Sequence, residues 1–583
     1  MHQRFRYLLI IFIFCFSRAL LAQESHRENK IVSIFIYADK KSLNPILNPR
    51  ETANFKVLAV FADGKTKPVS SKYLTFISKN KYSSGSKPIL ILYPLQYNQY
   101  VCRAVAKEGG IATVTAVANI DGQSFAASTD MVVRPYYHDY HQTLVLKLFM
   151  GMEGEPVDRI KNDPLFKRQH EVLCTFSQAL EVIRKTDNLT AGIPKIIYLV
   201  GWQKGGHDHQ YPSWDSVNSK LKRPQDSSAL ESLRWLILTA RRYHTIVSLH
   251  INMVDAYKSS PLWSEYVNRD VIGRDTSGNL LSRGIQIEGD SMYIVSYTRE
   301  WEEGLAQKRI DRLIAMVPEL KEGHTIHIDA FLDKPENAST LSPWHEMAVH
   351  GGIDIYKEAQ TQWKIFRYWR ARGFDVTGEG LFWAHPPGEG FYGLQPMSWW
   401  YPDDSEYQMN IPEMLSARGG TDRNGDGDFR FGNSIHGEEI YKRDIDSLTG
   451  FLQEFCRNTL PWYWLSRHER IAFNGDTLFY SDGVIAFQKD GHKMIRKGNF
   501  ILRDNNDLFV PALWKDKTII AYSETGYKNR LWILPNDWTG VSEVDILRIT
   551  MDGIQKIENE RKIDNKQIHL SLGVGEAVLI QAR

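Results

Sequence analysis

Hydrophobic and polar residues alternate along the first quarter of the chain. The runs VSIFIYA, NFKVLAVFADG, GIATVTAVANIDG and QSFAASTDMVV lie between residues 30 and 134, separated by polar turns rich in Gly, Asp and Asn. A period of two is typical of strands with one buried face, and Asp-Gly turns often connect such strands. The pattern predicts an N-terminal β-sandwich over residues 28–135.

From about residue 140 the pattern changes to apolar runs separated by long amphipathic stretches. The runs are TLVLKLFM, KIIYLVGW, TIVSLHINM, TIHIDAF and DVTGEGLF, with helix-like segments such as SSALESLRWLILTARRYH and YKEAQTQWKIFRYWRARG between them. Alternating strands and helices predict a parallel sheet, either doubly wound or closed into a barrel. Several runs end in polar residues, as barrel strands do at their catalytic face. We therefore predict a (β/α)8 TIM-like barrel over residues 140–475.

The helical period fades after residue 475. Runs such as DGVIAFQKDG, TIIAYSETG and GEAVLIQAR then predict an antiparallel C-terminal β-domain, a β-sandwich over residues 476–583. In the N-terminal region, the segment GIATVTA resembles bacterial immunoglobulin-like modules, which act as spacers or supports. The expected architecture is therefore an immunoglobulin-like sandwich, a barrel and a second β-domain.

The first residues indicate export from the cytoplasm. Arg4 and Arg6 precede an apolar run that is too short to span a bilayer, and the small residue Ala22 follows. This layout predicts a signal peptide over residues 1–22 and a secreted or periplasmic bacterial protein with no integral membrane segment after cleavage. Cys102, Cys174 and Cys456 are widely spaced, which favours core residues over a disulfide framework or a zinc site.

Charge narrows the range of partners. The chain has 71 Lys and Arg against 69 Asp and Glu, a net charge of +2, so no strong field recruits nucleic acid. With 43% hydrophobic residues, the composition is that of a folded protein.

Two carboxylates follow neighbouring predicted strands. Asp329 ends the run HTIHID, and Glu379 lies between two glycines in DVTGEG. Carboxylates at two strand ends suit retaining glycoside hydrolysis, in which one attacks the anomeric carbon and the other protonates the departing oxygen. Alternatively, either residue is a cap or an ion-pair partner. Glu389, in the loop PPGEG, is a rival for the acid role; Glu379 is preferred because it ends a strand.

The loop GWQKGGHDHQYPSW combines charged and aromatic groups after a predicted strand. His207, Asp208 and His209 stand beside Trp202, Tyr211 and Trp214. Proteins bind sugars with such combinations, through directed hydrogen bonds and apolar ring contacts. A metal site is the alternative, although adjacent loop residues seldom point at one ion. On the next run, SLHINMVDAY, His250 and Asn252 alternate, with Asp255 and Tyr257 beyond; a core histidine is the other interpretation of His250.

These motifs resemble glycoside hydrolases that act on α-linked N-acetylgalactosamine (GalNAc). The similarity lies in GHDxxYP, in HIN, in Asp329 and in Glu379, and it covers about residues 140–465. It implies two related families: large endo-α-N-acetylgalactosaminidases, and smaller exo-acting enzymes with a β-sandwich, a barrel and a C-terminal β-domain. By this resemblance Asp329 is the nucleophile, Glu379 is the acid/base, and Asp208, His207, Tyr211, His250 and Asn252 line the GalNAc subsite.

The chain also departs from the endo-acting family. It is much shorter, which favours the exo-acting relatives, and Glu379 is flanked by glycines rather than by a tryptophan. Downstream, Trp399, Trp400, Trp462 and Trp464 are either platforms for sugar rings or parts of the core. We assign Trp399 and Trp400 to substrate binding.

Acidic residues alternate around a glycine in TDRNGDGDFRFGN. Oxygen ligands at positions 1, 3, 5 and 7 resemble a calcium loop, with Asn433 where an EF-hand carries its bidentate Glu. The expected ligands are Asp422, Asn424, Asp426 and Asp428, with a solvated acidic turn as the alternative. We expect Ca²⁺ as the cofactor and no organic cofactor.

The resemblance predicts a retaining α-N-acetylgalactosaminidase that trims mucin-type O-glycans. The expected partner is a carbohydrate, either an O-glycan or a glycopeptide. A related hydrolase for another α-linked sugar, such as galactose, is one alternative that stays open, and two more remain. One is an endo-acting enzyme that releases Galβ1-3GalNAc, and the other is a non-catalytic glycan-binding surface protein.

Overall fold

A computed structural model describes most of the chain. The described residues are 30–45, 51–81, 88–95, 98–107, 110–134, 136–151, 172–287, 290–331, 342–378, 429–431, 445–468 and 470–583. They divide into two compact units, the first ending at Tyr136 and the second beginning at Tyr137. The predicted boundaries at 28–135, 140–475 and 476–583 stay predictions, as does the signal peptide, which lies outside the described residues.

The first unit is a sandwich of two β-sheets. Its described strands are β1 (Ile31–Ala38), β2 (Ser42–Leu43), β3 (Thr52–Phe61), β4 (Thr66–Pro68), β5 (Leu74–Asn80), β6 (Leu90–Pro94), β7 (Cys102–Ala106), β8 (Gly110–Ile120) and β9 (Gln123–Val133). One sheet has the order β1-β3-β7-β6, with β4 paired to β3, and the other has the order β2-β9-β8-β5. Inward side chains such as Phe55 and Val114 share one core. Alternation along the chain thus predicted this sandwich correctly.

The second unit begins with a parallel sheet. Its described strands are β10 (Leu144–Phe149), β11 (Lys195–Val200), β12 (Thr245–Asn252), β16 (Thr325–Asp329) and β17 (Asp375–Gly378), paired in that order. Each strand falls on one of the five apolar runs and is buried on both faces, as parallel strands between helices are. The parallel sheet is confirmed, whereas closure into an eight-stranded barrel stays a prediction.

Helices connect these strands. In the described residues they are α1 (Phe176–Leu189), α2 (Ala229–Thr239), α3 (Trp263–Asn268), α4 (Tyr297–Glu302), α5 (Leu305–Met316), α6 (Leu320–Gly323), α7 (Pro343–Glu346), α8 (Ile355–Ala371), α9 (Phe451–Glu454) and α10 (Leu460–Leu465). Side-chain caps begin the long ones: Thr175 forms a capping box with Gln178, and Asp354 accepts from the Lys357 backbone N–H. Their apolar stripes cover the sheet, as the helical period predicted for α2 and α8.

A small antiparallel sheet interrupts the strand–helix alternation after β12. It consists of β13 (Asp255–Tyr257), β14 (Ser282–Ile287) and β15 (Asp290–Ile294), in the order β13-β15-β14. This excursion was not predicted. It places β13 directly beyond the carboxyl end of β12.

The chain closes with antiparallel strands, as predicted. They are β18 (Arg470–Phe473), β19 (Thr477–Tyr480), β20 (Val484–Lys489), β21 (His492–Lys497), β22 (Phe500–Asp504), β23 (Asp507–Pro511), β24 (Thr518–Ser523), β25 (Tyr527–Ile533), β26 (Glu543–Thr550), β27 (Gly553–Lys562), β28 (Gln567–Leu572) and β29 (Glu576–Ala582). Ten form one sheet, and β25 pairs with β28. Trp514 donates to the Ala191 carbonyl and Asn188 to the Met551 carbonyl, which joins this region to the end of α1.

Two further expectations concern cysteines and membranes. Cys102, Cys174 and Cys456 are buried and carry free thiols, so they are core residues as predicted. No helix in the described part of the chain combines the length and apolar character that a bilayer span requires.

Candidate functional site

The carboxyl ends of β12 and β16 bring the first site residues together. Asn252 and Asp329 end these strands in register, and His250 pairs with His327 one layer below. The Asp329 side chain is 15% exposed, and its Oδ1 lies 3.4 Å from Nε2 of His250. Asn252 donates from Nδ2 to Oδ2 at 3.5 Å. The structure therefore places three sequence-predicted residues in direct contact.

Electrostatics keep the Asp329 carboxylate charged. Burial alone would raise its pKa, but His250, Lys147 and His207 hold that pKa well below the ordinary value. Burial lowers the pKa of His250 to about 4, so the imidazole is neutral at neutral pH. A neutral imidazole that faces a carboxylate through Nε2 carries its proton there, which leaves Nδ1 as an acceptor. Asp329 thus meets the electronic requirement of a nucleophile: ionised, hydrogen-bonded and shielded from water.

Lys147 belongs to the same face of the sheet as Asp329. It stands in register with Tyr198 on β11, and in-register neighbours of a parallel sheet point to the same side. The Tyr198 ring lies 5.3 Å from the His327 ring, and the His327 ring lies 5.0 Å from the His250 ring. Lys147 is buried, and its charge helps to lower the pKa of Asp329. The sequence analysis did not identify this lysine; its signal was a charged residue within an otherwise apolar strand run.

Glycines shape the loop after β11. Gly201 has φ +71°, and a Cβ built there would lie 1.9 Å from the Gly151 carbonyl oxygen, so no other residue fits. The same carbonyl accepts a hydrogen bond from the His207 backbone N–H at 3.1 Å. The loop then folds back on itself, because Asn218 donates to the Trp202 carbonyl. This close backbone packing carries His207 over the ends of β10 and β12.

His207 lies in one group with His250 and Asp329, whereas His209 does not. The His207 ring lies 5.4 Å from the His250 ring, edge to face. Asp208, 34% exposed, lies 3.4 Å from Nε2 of His207. His209 is buried instead beside Ser259, at 3.4 Å from its hydroxyl. The predicted triplet therefore does not point at one centre.

Tyr211 is fully buried against Tyr257. Their ring centres are 6.3 Å apart, and the Tyr257 backbone N–H donates to the Tyr211 carbonyl at 2.9 Å. Asp208 and Asp329 both influence Tyr211, whose pKa rises because of burial and of these two negative charges. Tyr211 thus lies near the centre as predicted, and Tyr257 joins it.

A buried arginine that the sequence analysis missed supports this arrangement. Arg309 on α5 donates to the Pro212 and Asn252 carbonyls, both at 3.3 Å, and it pairs with Glu300 at 2.7 Å. Its guanidinium also lies over the Trp214 ring, 4.2 Å from the ring centre. These contacts bind the loop after β11 to the end of β12. Arg309 falls on the apolar face of α5, between Leu305 and Leu313, which was the available signal.

Among the residues that the structure describes, His207, His250 and Asp329 form a group that could hold a metal. Their ligand atoms all lie within 4.8 Å of one another, and two imidazoles with one carboxylate suit a transition metal. However, both Asp329 oxygens already face donors on Asn252 and His250.

Several predicted residues lie outside the described residues. They are Glu379, Glu389, Trp399, Trp400, Asp422, Asn424, Asp426 and Asp428. Strand β17 ends with Gly378 in register with Ile328, so the described strand stops one residue before Glu379. Trp462 and Trp464 are described and buried, and they belong to the core.

Comparison with known proteins supports the resemblance. The endo-α-N-acetylgalactosaminidase family of glycoside hydrolases matches residues 166–375, which include His207, His250 and Asp329. The resemblance to glycoside hydrolases that act on α-linked GalNAc is therefore confirmed over this stretch. Among curated proteins, none matches this sequence.

Solved structures give only loose overlaps. The α-N-acetylgalactosaminidase NagBb from Bifidobacterium bifidum, in its GalNAc complex, superposes with a TM-score of 0.44 at 11% identity, covering 80% of this chain and 92% of that one. The type III pullulan hydrolase from Thermococcus kodakarensis gives 0.40 at 11% identity, covering 94% and 100%. Scores below 0.5 are too low to assign a fold or an activity.

Proposed function

We propose that the protein is a retaining glycoside hydrolase that removes α-linked GalNAc from mucin-type O-glycans. The observation that carries this proposal is the state of Asp329. It ends a buried parallel strand, faces donors on His250 and Asn252, and lies in the stretch that matches the glycoside hydrolase family. A charged, oriented carboxylate at a strand end is what double displacement needs.

In the proposed mechanism, Asp329 attacks the anomeric carbon as the glycosidic bond breaks. Glu379 donates its proton to the departing Ser, Thr or aglycone oxygen, so that the products of this step are the alcohol and a glycosyl-Asp329 ester. Glu379, now a carboxylate, takes a proton from water while that water attacks the anomeric carbon. The ester bond to Asp329 breaks, and α-GalNAc leaves with retained configuration.

The surrounding residues would bind the sugar. Asp208 and His207 stand above the nucleophile and can bond ring hydroxyls, while His250 and Asn252 fix its carboxylate. We assign Tyr211 to the same subsite, and Trp399 and Trp400 to apolar contacts with sugar rings. We further propose a (β/α)8 barrel as the frame, an immunoglobulin-like N-terminal module, export through the signal at 1–22, and a calcium site at Asp422, Asn424, Asp426 and Asp428.

The test is hydrolysis of aryl α-GalNAc with NMR detection of the first anomer released. The proposal expects α-GalNAc, and a β-anomer would refute retention. Glu379→Gln should keep far more activity on an aryl glycoside with a good leaving group than on a GalNAc-peptide, because only the poor leaving group needs the acid. Glu389→Gln is the matched control. If Glu389→Gln shows this split and Glu379→Gln does not, the acid assignment moves to Glu389.

Endo-action is the second candidate, because the family that matches residues 166–375 is described as endo-acting. Aryl Galβ1-3GalNAcα in the same assay decides between them. Release of the disaccharide would assign endo-action, and hydrolysis of aryl α-GalNAc alone would assign exo-action. Binding of either glycoside with no hydrolysis would instead indicate a glycan-binding protein.

A further inference from the structure

The short strand β13 presents two buried polar groups beside the candidate nucleophile. Asp255 and Tyr257 are two residues apart, so both side chains leave the strand on the same face. Both residues are buried, yet no group in the described parts of the chain hydrogen-bonds Oδ1 of Asp255 or the Tyr257 hydroxyl. Buried polar atoms nearly always have a hydrogen-bond partner. Two buried polar atoms without one, on the same side of the candidate site, therefore indicate that a bound ligand supplies the partners.

The other oxygen of Asp255 is already committed. Asn252 donates from Nδ2 to Oδ2 of Asp255 at 2.7 Å, and the same nitrogen lies 3.5 Å from Oδ2 of Asp329. The amide cannot turn round, because its Oδ1 accepts from the backbone N–H groups of Val254 and Asp255 at 2.8 and 2.9 Å. Asp255 therefore shares with Asp329 the only amide nitrogen that Asn252 has, and it helps to orient that nitrogen.

The charges around Asp255 influence whether its carboxyl group is protonated or ionised. Among the described residues, the groups that influence it are Asp208 on the loop after β11, Asp329 on β16, Arg283 on β14, Tyr257 on β13 and Tyr297 on α4. Burial raises the pKa of Asp255 to about 8, the two aspartates add to this effect, and Asn252 and Arg283 oppose it. Below that pH the carboxyl group is neutral. Since Oδ2 accepts from Asn252, the proton sits on Oδ1, the unpaired oxygen.

We propose that Asp255 is a substrate-binding residue, a neutral carboxylic acid that donates from Oδ1 to an acceptor oxygen of the bound sugar while Oδ2 orients Asn252 toward Asp329. The acceptor is a hydroxyl or the acetamido carbonyl. This proposal rests on the proposed function for the identity of the ligand. A charged Asp255 could not donate, and it would place a third carboxylate beside Asp208 and Asp329.

The deciding variant is Asp255→Asn, which keeps a neutral group with a donor and an acceptor. We expect kcat/KM for aryl α-GalNAc within about threefold of wild type at pH 6. Wild type should lose activity above about pH 8, as Asp255 ionises, whereas Asp255→Asn should keep its activity there. Asp255→Ala, which has neither group, should lose about tenfold to a hundredfold at pH 6. The exposed Asp537→Asn is the control and should follow wild type at every pH.

Two results would overturn the proposal. One is an Asp255→Asn variant that is as impaired as Asp255→Ala at pH 6, since the charged form would then be the active one. The other is an unchanged alkaline limb in Asp255→Asn. Tyr257→Phe is a second variant, with minimal change in packing, and it should raise KM severalfold with little change in kcat. An unchanged KM would exclude the β13 wall from substrate binding.

A measurement without substrate separates this proposal from the proposed function. The folded-state pKa of about 8 lies above the unfolded value near 4, so folded Asp255 holds a proton that the unfolded chain releases in this range. Wild-type stability should therefore fall between pH 5 and pH 8 relative to Asp255→Asn, in thermal unfolding with Asp537→Asn as reference. If this slope appears but no GalNAc glycoside is hydrolysed, only the proposed function fails. Without the slope, the neutral-acid proposal fails whatever the activity.

Discussion

The two ends of the parallel sheet each carry an aspartate, and the hydrogen-bond partners of the two carboxyl groups differ in kind. At the amino end, Asp375 begins β17 and accepts hydrogen bonds from the backbone N–H groups of Tyr137 and His138, at 2.8 and 3.2 Å, and from the Tyr140 hydroxyl at 3.2 Å. At the carboxyl end, Asp329 ends β16 and faces the side chains of His250 and Asn252. The Asp375 carboxyl group thus joins the chain before β10 to the sheet, whereas the Asp329 carboxyl group lies beside the loop that follows β11.

The difference lies in where the donors come from. The donors of Asp375 come mainly from one short backbone segment, so its geometry is that of a closed structural joint. The pKa of Asp375 rises with burial, although Arg370 and the backbone donors oppose this effect. Asp329 lies among groups from separate elements, and its pKa is lowered. Burial alone therefore does not distinguish Asp329 from Asp375; the origin of their partners and the direction of their pKa shifts do.

The largest expected effect comes from Asp329→Asn. Turnover of aryl α-GalNAc should fall by about a thousandfold or more, because the amide cannot form the glycosyl ester. The thermal midpoint should change little, since the amide occupies the same volume and still accepts from Asn252. Steady-state kinetics and thermal unfolding on the same sample check both parts. Near-wild-type turnover would remove Asp329 from the mechanism.

Asp375→Ala should have the opposite result, a loss of stability with little change in activity. Three donors and Arg370 would lose a buried acceptor, which costs about 3–5 kcal/mol of the free energy of unfolding. Activity per folded molecule should stay within about twofold. Asp311→Ala is the control, because Asp311 is 49% exposed and its ion pair with Arg372 contributes at most about 1 kcal/mol. If Asp375→Ala abolished activity in a fully folded protein, the contrast between the two ends would be wrong.

His250 offers an intermediate test at the carboxyl end. His250→Leu removes the group facing Oδ1 of Asp329, and we expect kcat to fall by about tenfold to a hundredfold. His250→Gln, whose amide nitrogen can replace Nε2, should recover part of the loss. Because the pKa of His250 is about 4, the wild-type kcat profile should show no limb from this residue near pH 6.5. An equal loss of kcat in both variants would mean that the imidazole does more than donate a hydrogen bond to Asp329.

Local patterns predicted the elements that carry the site, and tertiary contacts account for what was missed. The five apolar runs became the five parallel strands, and Asp329 was found because a carboxylate ended one of them. Arg309 and Glu300 lie far along the chain from the loop they support, and nothing local indicates that Arg309 meets the Pro212 carbonyl. Asp255 was noticed as a neighbour of Asn252, but its pKa is raised by burial and by Asp208 and Asp329, which only folding brings close.

The smallest expected effect tests whether a change inside the sheet alters both the stability of the protein and the activity at the carboxyl end of the sheet. The Thr325 hydroxyl contacts both the Tyr140 hydroxyl, at 3.0 Å, and the Tyr198 hydroxyl, at 2.5 Å. Tyr198→Phe should cost about 1 kcal/mol of the free energy of unfolding, since it loses the buried hydrogen bond to Thr325. Tyr140→Phe should cost about 2 kcal/mol, since it loses its hydrogen bonds to both Thr325 and Asp375.

Their effects on activity should differ, because the two rings lie in different layers. The Tyr140 hydroxyl bonds to Thr325 and Asp375 near the amino end of the sheet, so Tyr140→Phe should leave kcat unchanged. The Tyr198 ring packs 5.3 Å from His327, which in turn contacts His250, the residue that faces Asp329, so Tyr198→Phe can affect Asp329 through these rings. We expect a loss in kcat of about twofold, measured beside Tyr140→Phe as the matched control. Equal kcat values for the two variants would mean that the two ends work independently, because the altered hydroxyl then affects stability alone.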